Sequence, residues 1–324
     1  MSADDLPLSI VATTYNVAPY LRKCLDSVVR QRMPASAYEI IVVDDTSTDG
    51  TIDILEEYAS RTENMQVVAL PAHTPGASGF CLNIGMRMAR GKYIGIIDGD
   101  DFASTMMYPK MLKVAEETDA DLVLCNYNEY LMQSNKSRSH ESNALYRSMF
   151  TEDFKRLPLV TQKNFYLHMA PMAWRKLFKR SFLQDAHIMN VVNDCYYEDV
   201  VFHWFCIVLA ERITPVNEVL ITHRLQRDGQ VMSSRDQRAI VQCMCEHFQT
   251  ILAFLKKHNA YKMYRLSFYD FIDGFIKTFR QYEMEYSEEA ILHSLFSDDE
   301  IDKYWKHLES RDARDVLRKK GLKQ

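Results

Sequence analysis

Between Leu8 and about Asn126, short runs of β-branched residues alternate with stretches of helical periodicity. That alternation leaves little room for any fold except βαβ units wrapped around a mostly parallel sheet, an α/β class. Ser9-Ile10-Val11-Ala12-Thr13 reads as the first strand. Pro19 then opens a helix in which Leu21, Cys24, Leu25, Val28 and Val29 form one continuous apolar face. Glu39-Ile40-Ile41-Val42-Val43 is too uniformly apolar for an exposed strand, and it ends in Asp44-Asp45 and the turn-forming run Thr46 to Gly50. Met65 to Leu70, Tyr93 to Ile97 and Leu122 to Asn126 supply three further strands.

The polar stretch Ser134 to Asn143 reads as a loop between a nucleotide-binding half (about 1–130) and an acceptor half (about 131–234). A helix starts near Glu198, and a strand-like run, Val219 to His223, leads into the polar loop Gln226 to Ser234. From about Arg235 only helical patterns remain, with Val241, Met244, Phe248, Ile251, Leu252 and Leu255 on one face and Phe268, Phe271, Ile272 and Phe275 on another. The expected division is therefore 1–234 and a helical region 235–324, whose apolar faces would permit a homo-oligomer.

Composition excludes several classes of function. A formal net charge of -5 in 324 residues gives no basic surplus for nucleic acid. The longest apolar stretch, Phe202 to Ala210, is interrupted by His203 and is too short to span a bilayer. Met1 to Leu8 has no secretory pattern, so the expected location is the cytoplasm. Membrane contact would be peripheral at most, through the basic end Arg314, Arg318, Lys319, Lys320 and Lys323 at the inner face. Seven cysteines without a C-x-x-C pair suggest buried thiols rather than a zinc site or disulfides.

In open α/β sheets ligands gather at the carboxyl ends of strands. Here Asp98-Gly99-Asp100-Asp101 puts three carboxylates directly after the strand Tyr93 to Ile97. Helix capping alone accounts for an isolated acidic turn. A buried strand before it and a second acidic strand end at Asp44-Asp45 favour a hard divalent cation, Mg²⁺ or Mn²⁺, which would bridge the phosphates of a nucleotide-sugar. Gly99 would leave room for a ligand near the backbone. Glu198-Asp199, at the start of an apolar helix, supplies a candidate general base beside a helix-capping carboxylate. His223, Arg224 and Arg227, at the end of the Val219 strand and in its loop, read equally as cations that close over a diphosphate or as ordinary surface residues. No P-loop is present, and Gly76-Ala77-Ser78-Gly79 lacks the spacing of a dinucleotide site, so kinase and dehydrogenase readings fall back.

Taken in order, the motifs resemble family 2 glycosyltransferases of the GT-A fold, the group that builds capsules, O-antigens and teichoic-acid decorations. The likeness runs through Ser9 to Asn16, Cys24 to Val28, Ile41 to Gly50, Ala89 to Ile94, Asp98 to Asp101, Trp174 to Phe178 and Tyr197 to Phe202. It implies a GT-A domain with a helical C-terminal region, and an inverting transfer from a UDP-sugar to a hydroxyl of a bacterial surface glycan. It also implies roles. Thr13, Tyr15 and Asp45 would hold the nucleobase, with Asn83 in the donor site. Asp98 would lie near the ribose or diphosphate and join Asp100 at the metal. Asp101, Trp174 and Lys176 would face the acceptor, and Asp199 would be the catalytic base, positioned by Glu198. Two departures are Leu82, where relatives carry an arginine before Asn83, and Ala12, where they carry a proline. The competing reading is an inactive glycosyltransferase-like scaffold subunit, against which the intact Asp98, Asp100 and Asp199 argue.

Overall fold

The computed structural model describes residues 6–74, 78–140, 142–189, 196–226, 237–279 and 287–319. They form two compact units, 1–158 with 169–235, and 159–168 with 236–324.

The first unit begins as the alternation predicts: β1 (Leu8–Thr14), α1 (Ala18–Val29), β2 (Tyr38–Asp44), α2 (Thr51–Arg61), β3 (Met65–Ala69), α3 (Gly79–Met88) and β4 (Tyr93–Asp98). It continues through β5 (Phe102–Ala103), α4 (Met107–Thr118), β6 (Leu122–Leu131), β7 (Lys136–Ser139), α5 (Ser142–Ser148) and α6 (Glu152–Lys155). The helix α7 (Leu159–Leu167) lies inside the 1–234 span in sequence, yet it belongs to the second unit. The chain then returns to the first unit with β8 (Lys176–Lys179), α8 (Arg180–Asp185), α9 (Glu198–Leu209) and β9 (Ile213–Leu225).

One sheet carries all nine strands in the order β3-β2-β1-β4-β8-β6-β9-β5, with β7 on β6. Strands β3, β2, β1 and β4 are mutually parallel, β8 runs antiparallel between β4 and β6, and β9 is parallel to β6. Strand order reverses at β1, because β2 and β3 lie on one side of it and β4 on the other. The crevice beyond the carboxyl ends of β1 and β4 is therefore where such a sheet takes a ligand. The register pairs Thr13 with Asp98 there.

Alternation along each strand builds the core. Leu8, Ile10, Ala12, Ile40, Val42, Tyr93 and Ile97 pack with Leu21, Cys24, Leu25 and Val28 of α1 and with Met107, Tyr108 and Met111 of α4. A close approach fixes Gly91 beside β1: a Cβ there would lie 2.4 Å from the backbone carbon of Leu8 and from the Ser9 nitrogen. Gly91→Ala is accordingly expected to cost about 1–3 kcal/mol or more, read as a lower urea midpoint at unchanged slope.

The stretch Ser134 to Asn143 departs from the expected loop. Residues Lys136–Ser139 pair antiparallel with Asn128 to Leu131 as an exposed edge strand, and Arg138 meets Glu129 at 2.6 Å. An edge strand solvated on both faces needs no apolar alternation, so its polar sequence carried no sign of it.

The second unit consists of α7, α10 (Gln237–Lys257), α11 (Tyr261–Phe279), α12 (Glu288–Leu295) and α13 (Asp298–Lys319). Phe248 is fully buried, with edge-on rings of Phe268, Phe271 and Phe275 at 6.3, 5.4 and 5.5 Å. Arg311 of α13 forks onto Asp270 and Asp273 of α11 at 2.8 and 2.7 Å, tying those helices together. Among the described residues, no helix is long and apolar enough to cross a membrane. Lys320 and Lys323 of the basic end lie outside the described residues.

Candidate active site

The carboxyl end of β4 delivers the acidic turn. Ligand oxygens of Asp98, Asp100 and Asp101 lie within 4.8 Å of one another. Burial, then the neighbouring Asp100 and Asp101, pushes the Asp98 carboxyl well above the usual carboxylate range. Gly99 is required by the protein itself rather than by a ligand. A Cβ would sit 2.7 Å from Thr14 Cγ2 and 3.0 Å from the Thr13 carbonyl oxygen, so β1 fills the room that the sequence reading gave to a ligand.

Asp101 is completely buried, which removes it from the acceptor face expected for it. Its Oδ1 accepts the Arg224 backbone N–H at 2.8 Å, and its Oδ2 lies 2.9 Å from His223 Nδ1. Burial disfavours a charged imidazole at this position, but the Asp101 carboxylate outweighs it and lifts His223 to about 9. The His223 ring stacks on Trp174 with centroids 5.1 Å apart. Arg224 also takes a task other than closing over a diphosphate. It is 4% exposed, donates to the carbonyls of Asp100 and Tyr20, and its guanidinium lies 5.4 and 5.0 Å from the Tyr20 and Phe102 ring centroids. It buttresses the acidic turn from behind. Arg227 lies outside the described residues.

A cavity of about 170 Å³ opens at this end of the sheet, lined by Thr13, Asp98, Trp174, Tyr197, Glu198 and Asp199 among others. Carboxylates a hundred positions apart in sequence thus share one space. The first turn of α9 provides two of them, preceded by Tyr197 in the left-handed region at φ 63°. A bulky residue there costs on the order of 1–3 kcal/mol, a strain typical of sites whose geometry is imposed by surrounding structure. Burial raises the pKa of Asp199 against the opposing charge of Lys176.

Lys176 is enclosed rather than open to an acceptor. It is 1% exposed, and its ammonium donates to the carbonyls of Pro171 and Met172 at 2.5 and 2.7 Å. Burial and then Arg175 lower it to about 7, while Asp199 opposes the shift. Its bonds hold the turn from which Ala173 and Trp174 reach the cavity. Asn83 is buried on α3, beside the cavity-lining Leu82.

Glu198 is held by Ser78, whose hydroxyl and N–H donate to Oε1 at 2.5 and 3.2 Å. Burial and the adjacent Asp199 push it up to about 7 from 4.5. Because the folded value is raised, the stabilisation from keeping Glu198 protonated is complete below about pH 4.5 and is lost as pH rises through about 7. Glu198→Gln, which cannot ionise, is expected to be more stable than the parent at pH 8 by about 2–3 kcal/mol and equal to it near pH 4.5. Thermal unfolding in EDTA at the two pH values checks this, and a difference that grows toward low pH would refute it.

At the end of β2, Asp44 is spent on its own turn, accepting from Thr14 and Ser47. Asp45 is 4% exposed and accepts from the Thr74 N–H at 2.9 Å and the Thr74 hydroxyl at 3.0 Å. His73 Nδ1 lies 2.9 Å from Asp45 Oδ2, and its ring stacks on Tyr15 at 4.5 Å and 28°. Tyr15 is 47% exposed. His73 and Ser78 escaped the sequence reading. The only trace of Ser78 was a small polar residue ahead of a helix, and His73 sits in a loop without periodicity.

The comparisons agree with this architecture. Residues 9–182 match the family model "Glycosyl transferase family 2". The chain belongs to that family and has a GT-A fold with additional C-terminal helices. It is similar to the uncharacterized glycosyltransferase EpsJ of Bacillus subtilis strain 168, 31% identical over 68% of this chain and 61% of that one. It is likewise 31% identical to the poly(ribitol-phosphate) beta-glucosyltransferase of Bacillus spizizenii, over 70% of this chain and 34% of the relative. The match thus spans less than two thirds of either of these relatives. Among solved structures, S. aureus TarS 1-349 in complex with UDP-GlcNAc superposes with a TM-score of 0.61 at 21% identity, covering 84% of this chain and 81% of that one. At that identity the likeness speaks for the fold.

Proposed function

We propose that this glycosyltransferase moves a sugar from a UDP-linked donor to a hydroxyl of a bacterial surface glycan or its lipid-linked precursor, with inversion and with Mg²⁺ or Mn²⁺. The observation that carries the reading is the single cavity shared by Asp98 and Asp199. Its other support is the poly(ribitol-phosphate) glucosyltransferase among the relatives and the UDP-GlcNAc complex among the structural neighbours.

The donor set fits a hard cation. Asp98 and Asp100 offer carboxylate oxygens within a cluster spanning 4.8 Å, whereas Asp101 is committed to His223 and Arg224. When bound, the ion would supply positive charge against the departing nucleoside diphosphate. The chain's own residues do the rest. Thr13, Tyr15 and Asp45 take the base, Trp174 forms a wall for the sugars, and Asp199 accepts the proton of the attacking hydroxyl on the face opposite the nucleotide. Glu198, fixed by Ser78, orients the start of α9.

The test is UDP release from a panel of UDP-sugars with Mn²⁺ and with EDTA, followed by the anomeric configuration of the product by NMR. Metal-dependent release and an inverted anomer are expected. Retention of configuration would remove Asp199 from the base role, and silence with every nucleotide sugar would favour the scaffold reading.

A further inference from the structure

We infer that His73 is an internal stand-in for the donor's base, which the base displaces on binding; this rests on the reading of Tyr15 and Asp45 as the base site. A pyrimidine held there makes two contacts: its face stacks on the Tyr15 ring and an N–H donates to Asp45. The His73 imidazole occupies the place of both. Its ring lies on Tyr15 with centroids 4.5 Å apart and planes at 28°. Its Nδ1 lies 2.9 Å from Asp45 Oδ2 and, in the tautomer that carries the proton there, donates to the Asp45 backbone carbonyl at 3.4 Å.

Occupation is exclusive on two counts. Nδ1 sits 2.9 Å from Oδ2, which also accepts the Thr74 hydroxyl at 3.0 Å, so a base N–H has no room at that oxygen while His73 is seated. A planar ring against Tyr15 also bars another ring from that face. Departure is easy, because the His73 side chain is 53% exposed and moves into solvent, whereas Asp45, at 6%, stays where Thr74 holds it. The imidazole keeps the buried carboxylate partnered and the exposed tyrosine face covered while no donor is bound. Donor affinity is scaled down to the fraction of molecules in which His73 is unseated.

His73→Ala in the full chain is expected to tighten UDP binding about threefold to tenfold, the scale of one stacked ring. Binding of inorganic pyrophosphate with Mn²⁺, which has no base, should stay within about twofold. In the parent protein, UDP should remove the upfield ring-current shift of the His73 Cε1 proton in NMR spectra. Weaker or unchanged UDP binding by His73→Ala, with Tyr15→Ala still impaired, would overturn the displacement alone. Unchanged UDP binding by Tyr15→Ala and Asp45→Asn would overturn the base-site reading, and the displacement with it.

Discussion

Asp199→Asn is expected to lower kcat by about 10²–10⁴-fold, the usual contribution of a positioned general base, while UDP binds within about twofold of the parent. The substitution keeps the size of the side chain, and the Val200 N–H stays bonded to the Tyr197 carbonyl, so α9 should start as before. What it removes is the basic carboxylate. Burial already drives that carboxyl upward, and Lys176 opposes the shift. Protonation at low pH should therefore mimic the mutation, with kcat declining on the acid side. Steady-state kinetics with a fixed UDP-sugar, alongside calorimetric titration with UDP, separates the two quantities. A large loss of UDP affinity with kcat intact would move Asp199 from the acceptor side to the donor side.

Asp100→Ala is expected to remove the gain in UDP affinity produced by Mn²⁺, about 10²-fold or more for a ligand supplying several kcal/mol of charge stabilisation. Affinity measured in EDTA should hardly change. The asymmetry follows from how the acidic turn is partnered. Both oxygens of Asp101 are engaged by His223 and Arg224, and ligand oxygens of Asp98 and Asp100 lie within 4.8 Å of each other, close enough to share a cation. An Asp100→Ala protein in which Mn²⁺ still strengthens UDP binding would contradict this assignment. The Asp100 backbone carbonyl, which receives the Arg224 guanidinium, survives the substitution, so the turn should keep its shape.

These two carboxylates were legible in the sequence because local pattern and chemistry coincide at them. A buried strand such as Tyr93 to Asp98 shows as an unbroken apolar run, and charge at its end stands out. The same holds for Glu198 and Asp199 ahead of the apolar residues of α9. What failed to show is whatever depends on a distant partner. Asp101 and His223 lie 122 positions apart, and nothing near either residue signals that one exists to hold the other. Arg224 looked like a free cation because sequence cannot reveal the Tyr20 and Phe102 rings around it. Lys176 looked available for the same reason, its two carbonyl partners lying in a turn without pattern. The β7 edge strand and the allegiance of α7 to the second unit were hidden likewise, since neither is written in apolar periodicity.

The bond between Asp101 and His223 bears on how variants of this protein can be made. Asp101 belongs to the donor-side turn after β4, whereas His223, stacked on Trp174, belongs to the far strand β9. A chimera that exchanges residues 131–234 with those of a relative would cut through that link and leave a fully enclosed carboxylate without its imidazole. Grafts meant to change the sugar acceptor should therefore carry positions 101, 174 and 223 together as one inherited set.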